Sequence, residues 1–311
     1  MTGTDQVLPF EIKTLGVRGR VVRLGPVIDD VLARHNYPAP VSALLAQSVA
    51  LTSLLGTALK FDGKFILQTK SNGPVSMLVA DFAAPNGVRG VAKFDADRVA
   101  SSPSDERVLL GTGHLAMTVD QGADMDRYQG IVALGNDTLA DAAHTYFQQS
   151  EQIPTRLRVA AGPVQTRGDK SQRWRAGAVL VQHLPRDGGF SPVPFSSGDA
   201  PDGEQQLPEN DDWVKARLLL NTVEDHELLD PMLTSEELLY RLFNEDGVTV
   251  YPAIPLQRHC TCSRAAVETM LTNFTADERA AMVENNAIKV TCEFCSTDYV
   301  FTVAEAGANS K

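Results

Sequence analysis

At 311 residues the chain is longer than one ordinary core, so two or three domains are expected. Hydrophobic residues make up 43%, ample for folding, and the formal charge is −11, with a sequence pI of about 5.0. That balance argues against a surface built for nucleic acid or an anionic membrane, which needs excess Lys and Arg.

Residues 1–10 lack a basic stretch followed by an apolar run, so no secretory signal is visible, and a reducing cytoplasm is the expected compartment. Residues 14–24 are rich in Val, are flanked by glycine, and read as a strand. Asp29 is placed to cap a short helix reaching His35. Pro38 and Pro40 introduce a long helix over 41–59, with Pro40 where helix starts tolerate it. The apolar run 41–61 is about the length of a membrane span. Gln47, Ser48, Thr52, Ser53 and Thr57 interrupt it and Lys60 ends it, so a helix buried in a soluble core is expected and no membrane partner.

The period then changes. Residues 65–70 and 75–82 read as a hairpin about Ser71-Asn72-Gly73-Pro74, and Pro85-Asn86-Gly87 turns the chain into a third strand, 88–94. Such short connections make the meander antiparallel. Residues 101–105 read as a loop, 108–113 and 115–119 as apolar runs broken by glycine, and 128–134 as a strand. A turn at Gly135-Asn136-Asp137 leads into a helix over 138–152, with Leu139, Ala142, Ala143, Tyr146 and Phe147 along one face and Pro154 as its stop. Strands at 157–161 and 174–184 complete the pattern, so that residues 1–185 read as one α+β domain of antiparallel strands and a few helices.

Composition shifts at Pro185. Residues 185–212 are Gly, Pro, Ser and acid, and read as a flexible linker or exposed loop. A helix over 213–229 places Val214, Leu218, Leu219, Val223 and Leu228 near one face. A second, over 235–245, follows the capping box Thr234-x-x-Glu237 and carries Leu238, Leu239, Leu242 and Phe243. Each must bury its apolar stripe, and the sheet of the first domain is the expected surface. Residues 248–251 read as a short strand. The expected division is 1–185, a linker domain 186–250, and a cysteine module 251–311.

The four cysteines form C-T-C at 260–262 and C-E-F-C at 292–295. Two close pairs can surround one tetrahedral zinc ion, and each pair can also close on itself as a disulfide. Between the pairs, 264–271 reads as a helix and Thr275-Ala276-Asp277-Glu278 as a capping box for another through 283. Residues 288–291 and 299–303 read as strands. So small a module has little core, whereas a structural zinc site supplies about 10–16 kcal/mol of apparent folding free energy. A purely structural ribbon is the plain alternative. A thioredoxin-like dithiol needs C-x-x-C at a helix start after a strand, and C-E-F-C sits between strands instead. His259, beside Cys260, reads as a bystander. The run Gly111 to Ala116 matches G-x-G-x-x-A, but a strand-like alternation follows where a dinucleotide site needs a helix. The remaining histidines, His35, His114, His144, His183 and His226, have no ligand spacing, and no catalytic constellation is present, so no enzyme is expected.

C-T-C-S-R at 260–264, with E-F-C at 293–295 and an aromatic-rich end through Phe301, resembles the C-terminal switch of the 33-kDa heat-shock chaperonin family, the redox-regulated holdases. The resemblance runs along nearly the whole chain: V-R-G at 17–19, L-K-F-D-G at 59–63, N-G-P at 72–74, R-G-V-A at 89–92, R-Y-Q-G-I-V at 127–132, Y-F-x-x-S-E-Q-x-P-T-R at 146–156, A-G-A-V-L-V-Q at 176–182 and V-T-V-Y at 248–251. It implies an α+β substrate-binding domain, a helical linker domain and a small zinc-binding redox-switch domain. It implies one Zn²⁺ on Cys260, Cys262, Cys292 and Cys295 in a reduced, inactive form. In the oxidised form it implies disulfides Cys260–Cys262 and Cys292–Cys295, zinc release, ATP-independent binding of unfolding client proteins, and a homodimer. It implies no chemical turnover. Two other classes remain: a zinc ribbon that recognises RNA or a protein, which would need a basic face, and a thiol oxidoreductase, which would turn over a dithiol substrate.

Overall fold

The computed structural model describes residues 4–58, 63–121, 127–151, 153–165, 171–184 and 210–307. In chain order it begins with β1 (Gln6–Ile12), β2 (Val17–Leu24), α1 (Pro26–Ala33) and the long α2 (Ala39–Gly56). A meander of β3 (Lys64–Ser71), β4 (Val75–Ala83) and β5 (Gly87–Phe94) follows, then the short α3 (Ala96–Ser101) and α4 (Glu106–Leu110). Next come β6 (Thr112–Asp120), β7 (Tyr128–Gly135), α5 (Leu139–Tyr146), β8 (Thr155–Val164) and β9 (Arg173–His183). Three helices, α6 (Asp211–Asn221), α7 (Asp225–Leu229) and α8 (Ser235–Phe243), precede the two-residue strands β10 (Thr249–Val250), β11 (Ile254–Pro255) and β12 (Gln257–Arg258). The cysteine module contains α9 (Arg264–Thr272), α10 (Ala276–Ala281), β13 (Ala287–Thr291) and β14 (Asp298–Thr302).

Two sheets enclose α2. The first has the order β10-β1-β2-β9-β8, with β11 also paired to β1, and the second β12-β5-β4-β3-β6-β7. The meander is antiparallel, as its short turns require, while β12 joins β5 in parallel. The helix α2 packs on β2, β8 and β9 of one sheet and on β3, β4 and β5 of the other. It is apolar and long enough to cross a membrane, with mean hydropathy 1.4, but 78% of it is buried inside the protein. Its hydroxyls are not orphaned: Ser48, Thr52 and Ser53 donate to the carbonyls of Leu44, Ser48 and Val49 at 2.9, 2.7 and 2.7 Å.

Alternation along the first sheet buries both of its faces. Val7, Val22, Leu24, Ala178 and Leu180 join α2 in the central core. Leu8, Phe10, Val21, Val179 and Val181 point the other way, into a second core completed by Trp213, Leu220, Leu228, Leu238, Leu239 and Phe243. The helices α6–α8 thus cover the outer face of this sheet, as their stripes predict. Two glycines permit the close fit. A Cβ on Gly19 would strike the ring of Phe10, and one on Gly177 would lie 2.5 Å from the Leu228 carbonyl oxygen.

Several expectations need correction. The strand read from residue 14 begins at Val17, because Lys13–Leu15 is a single 3₁₀ turn closed by Gly16 at φ 60°. Asp29 caps nothing: α1 starts at Pro26, and the Asp29 carboxylate accepts from Trp174 N at 3.1 Å and Arg173 at 2.9 Å. The run from 108 ends α4, whose N-cap is Asp105, and α3 replaces a loop residue at Ser101. The helix from 138 keeps its start, where Thr138 and Asp141 form a capping box, but becomes a π turn at Phe147–Glu151. The helix read over 213–229 is two helices, because α6 ends at Asn221 and Glu224 caps α7 with its own box. The break turns Leu218 outward, 56% exposed, and leaves Val214 half-buried. Within 185–212, residues 185–209 lie outside those described, Asn210 is the N-cap of α6, and Asp211 and Asp212 belong to its first turn.

One buried cation fastens α7 to the sheet. Arg23 on β2 is 6% exposed. Its guanidinium donates to the carbonyls of Glu227 at 2.9 Å, Leu228 at 3.3 Å and Asp230 at 3.0 Å, the unpaired carbonyl end of a helix. Burial draws its pKa down to about 10, with Asp230 opposing, so it stays protonated at neutral pH. Replacement by Arg23→Met is expected to cost about 2 kcal/mol locally, since charged hydrogen bonds are lost and carbonyls left unpaired. Hydrogen exchange should show lost protection over 225–230 while β3–β7 keep theirs; an even loss across both sheets would contradict the assignment.

Candidate metal centre

The C-T-C loop leaves β12, and Ser263, which follows it directly, caps α9 by accepting from Ala266 N. The C-E-F-C loop joins β13 to β14. Ser296 N donates to Cys292 O at 2.8 Å and Cys292 N to Thr297 O at 2.9 Å. Ser296 takes a left-handed φ of 52° to close this turn. The fold brings all four predicted residues together. Cys260 Sγ lies 3.3 Å from Cys262 Sγ and 3.7 Å from Cys292 Sγ, and Cys262 Sγ lies 3.3 Å from Cys295 Sγ. All four sulfurs fall within 4.8 Å of one another, and none is bonded to another. A tetrahedral site with Zn–S bonds of about 2.3 Å has S···S edges of about 3.8 Å, so the donor set suits zinc in type and spacing.

The thiols are electrostatically unequal. Burial pushes Cys262 up to about 12, although Tyr299 Oη donates to its sulfur at 3.2 Å. That same hydrogen bond raises Tyr299 to about 12. Burial also raises Cys292. Cys295 is opposite: burial raises it, but hydrogen bonding with Thr297 and the neighbouring thiols outweighs this and brings it down to about 6. Four thiols so close titrate as a set, and within it the hydrogen bonds to Cys295, itself buried, favour the thiolate there.

Around the sulfurs the module's own core is small: Leu271, Ile288, Phe301 and Ala306 are its buried members. Arg264, next in sequence to the cap residue, donates to Val300 O at 2.8 Å and lies 4.3 Å over the ring of Phe301, tying α9 to β14. The module also leans on the first domain, where Lys93 meets Glu293 at 3.2 Å and His35 Nε2 lies 3.2 Å from Phe294 O.

His259 stays outside the cluster, its N–H donating to Val88 O at 2.9 Å. His144 is half-buried: Nε2 accepts from Leu157 N at 3.0 Å, and burial lowers its pKa to about 4. Gly113 opens into strand β6, so the glycine motif there builds no helix start. Sequence reasoning missed Tyr299 and Thr297 as partners of the sulfurs. The aromatic end of the module was visible, but its contact with Cys262 depends on the β13–β14 register.

In reduced, metal-free protein, alkylation at neutral pH is expected to begin at Cys295. Its rate should rise as pH passes about 6, because the thiolate is the nucleophile, while Cys262, at about 12, lags. Thr297→Val should move that rise to higher pH. Mass mapping of partly alkylated protein checks both, and early labelling of Cys262 would contradict them.

Comparison with known proteins gives one consistent answer. The family model described as Hsp33 protein matches residues 5–302. A 33 kDa chaperonin of Caulobacter vibrioides is 43% identical over 301 residues, covering 95% of this chain and 94% of the relative. One from Nitrosococcus oceani is 36% identical over 302 residues, covering 97% and 92%. The crystal structure of the 33 kDa chaperonin of Thermotoga maritima superposes with a TM-score of 0.75 at 20% identity, over 97% of each chain, and so shares the fold. With the family model matching nearly end to end and relatives aligned over almost their full length, the chain belongs to the Hsp33 protein family.

Proposed function

We propose that the protein is a redox-regulated, ATP-independent holdase, inactive when Cys260, Cys262, Cys292 and Cys295 hold one zinc ion and active when they are oxidised. The observation that carries this reading is the placement of four sulfurs within 4.8 Å in a module with almost no core of its own. The names of the relatives, 33 kDa chaperonin, support the choice of client-binding protein over enzyme. The three-part division at 1–185, 186–250 and 251–311 is kept, with strands β10–β12 as the seam between its parts.

Zinc would supply charge neutralisation for four thiolates and a crosslink between the two loops. The chain's residues do the rest. In the closed form β10 and β11 pair with β1, and β12 with β5, so the segment before Cys260 is stitched to both sheets. Upstream of it, α8 seals the outer face of the first sheet, with Phe243 and Phe10 ring centroids 6.3 Å apart.

Oxidation converts the four thiolates to disulfides 260–262 and 292–295. Each disulfide forms with loss of two electrons; two molecules of hydrogen peroxide accept the four electrons, take four protons from solvent and leave as four molecules of water. All four donors are lost to the metal, and the module loses its main stabiliser. Helices of 11, 5 and 9 residues are marginal without a packing partner. Their release uncovers Leu8, Phe10, Val21, Val179 and Val181, an apolar face for unfolding client proteins or for a second copy of the chain. The reducing cytoplasm is the compartment in which such a switch starts closed.

Two measurements test this reading. Reduced protein is expected to bind one zinc through four thiols. Peroxide should release it, form the 292–295 disulfide before the tighter 260–262 ring, and switch on suppression of client aggregation; active protein with zinc still bound would contradict the scheme. Leu239, fully buried on the inner face of α8, provides the second. Leu239→Asp places an unpaired carboxylate there at a cost of several kcal/mol, so undocking is expected without oxidation. Reduced, zinc-loaded Leu239→Asp should suppress aggregation; an inactive variant whose helices are undocked by hydrogen exchange would make α8 the client-binding element instead.

A further inference from the structure

Strand β5 carries a cation whose role the switch chemistry does not absorb. Arg89 is anchored inside the first domain, its Nε 2.7 Å and its Nη2 2.6 Å from Asp81 Oδ2. Asp81, on β4, is 5% exposed. The same guanidinium reaches both cysteine loops. Its Nη1 donates to Thr261 Oγ1 at 3.1 Å, the residue between Cys260 and Cys262. Its Cζ lies 3.9 Å from the ring centroid of Phe294, which stands between Cys292 and Cys295.

Among the described residues, the contacts between the two loops themselves run through sulfur, Cys260 to Cys292 and Cys262 to Cys295; beyond the loops, Tyr299 reaches Cys262 and Arg264 ties α9 to β14. The sulfur contacts are the ones that metal loss or oxidation disturbs. Arg89 interacts with Cys260 as well, but its contacts with Thr261 and Phe294 involve no sulfur. It also continues the main chain's own attachment, since β12 pairs with β5 at Arg258↔Val88 and His259 N then donates to Val88 O. A planar guanidinium can use two edges and a face at once, which a lysine ammonium cannot.

We infer that Arg89 is a positioning residue for the metal centre: one guanidinium, held by Asp81, clamps the loop of each cysteine pair to the first domain and slows their separation. The inference rests on the zinc reading above. It makes the first domain part of what holds the metal, and it gives the body of the protein a direct contact with both halves of the switch.

The test is the rate at which a chromophoric chelator removes zinc from reduced full-length protein. Two double variants approach the contact from opposite sides. Arg89→Met with Asp81→Asn removes the clamp without leaving a buried carboxylate unpaired. Thr261→Val with Phe294→Leu removes what it grips and leaves the Arg89–Asp81 pair in place. Both are expected to bind one zinc and to release it about tenfold faster or more, the usual scale for groups that orient metal ligands. Arg89→Lys should restore only part of the difference. Should Arg89→Met/Asp81→Asn fail to fold, the loop variant decides alone. Wild-type release from the loop variant, or a wild-type rate in Arg89→Lys, would overturn the clamp. Wild-type protein that takes up no zinc would instead overturn the metal assignment beneath it.

Discussion

The structure depends on one sheet that can face water on neither side. Strands β1, β2, β9 and β8 put alternate residues into two separate cores, one shared with α2 and one shared with α6–α8. An antiparallel sheet with a solvated face would show polar residues at every second position. Here Val21-Val22 and Val179-Leu180-Val181 are apolar on both faces. The helices that cover the outer face are therefore required by the sheet, and the sheet supplies most of what keeps three short helices folded.

That dependence gives a small module leverage over a large surface. The helices α6–α8 are held at one end by packing, by Arg23 on the carbonyls that close α7, and by the strap of β10–β12 that follows α8. The strap leads directly to Cys260. A module with four buried apolar side chains cannot anchor that strap by burial alone. In the proposed switch, a crosslink through sulfur, whether by metal or by disulfide, would change which residues are tied together, and the strap would carry the difference to the sheet.

The sulfur cluster is asymmetric before any metal is considered. Cys295, the buried member of the four, sits on a turn with hydrogen bonds that favour its thiolate, while Cys262 is half-buried beside Tyr299 and keeps its proton. A cluster of this kind has a preferred point of attack for an electrophile. The pairing in sequence, two residues or three apart, keeps a partner sulfur close at hand for each.

Much of this was legible in the chain before it was folded. Cysteine spacing specified two close pairs that could share one site, because backbone geometry places the sulfurs of C-x-C and of C-x-x-C together; that the two pairs meet within 4.8 Å was decided by the fold. The capping boxes at Thr234 and Thr275 located two helix starts, since their partners are three residues away, whereas the cap read at Asp137 falls one residue later, on Thr138 with Asp141. The meander β3–β5 followed from its turns. Other features were decided only by tertiary structure. Strand β1 has Pro9 at its middle, which removes a donor, and its pairing with β2 and β10 outweighs that loss. Strand β10 lies within the strand read at 248–251, but the two-residue β11 and β12 have no period to read and exist because β1 and β5 offer edges. The face of α6 that meets the sheet carries Trp213, Ala216 and Leu220 and leaves Leu218 outside, a choice among apolar residues that only the docking of the helix makes. Arg23 and Arg89 looked like ordinary strand arginines. Their partners lie more than 170 residues away, at separations of 172 and 204 for Thr261 and Glu227, and only the folded chain brings them within a hydrogen bond.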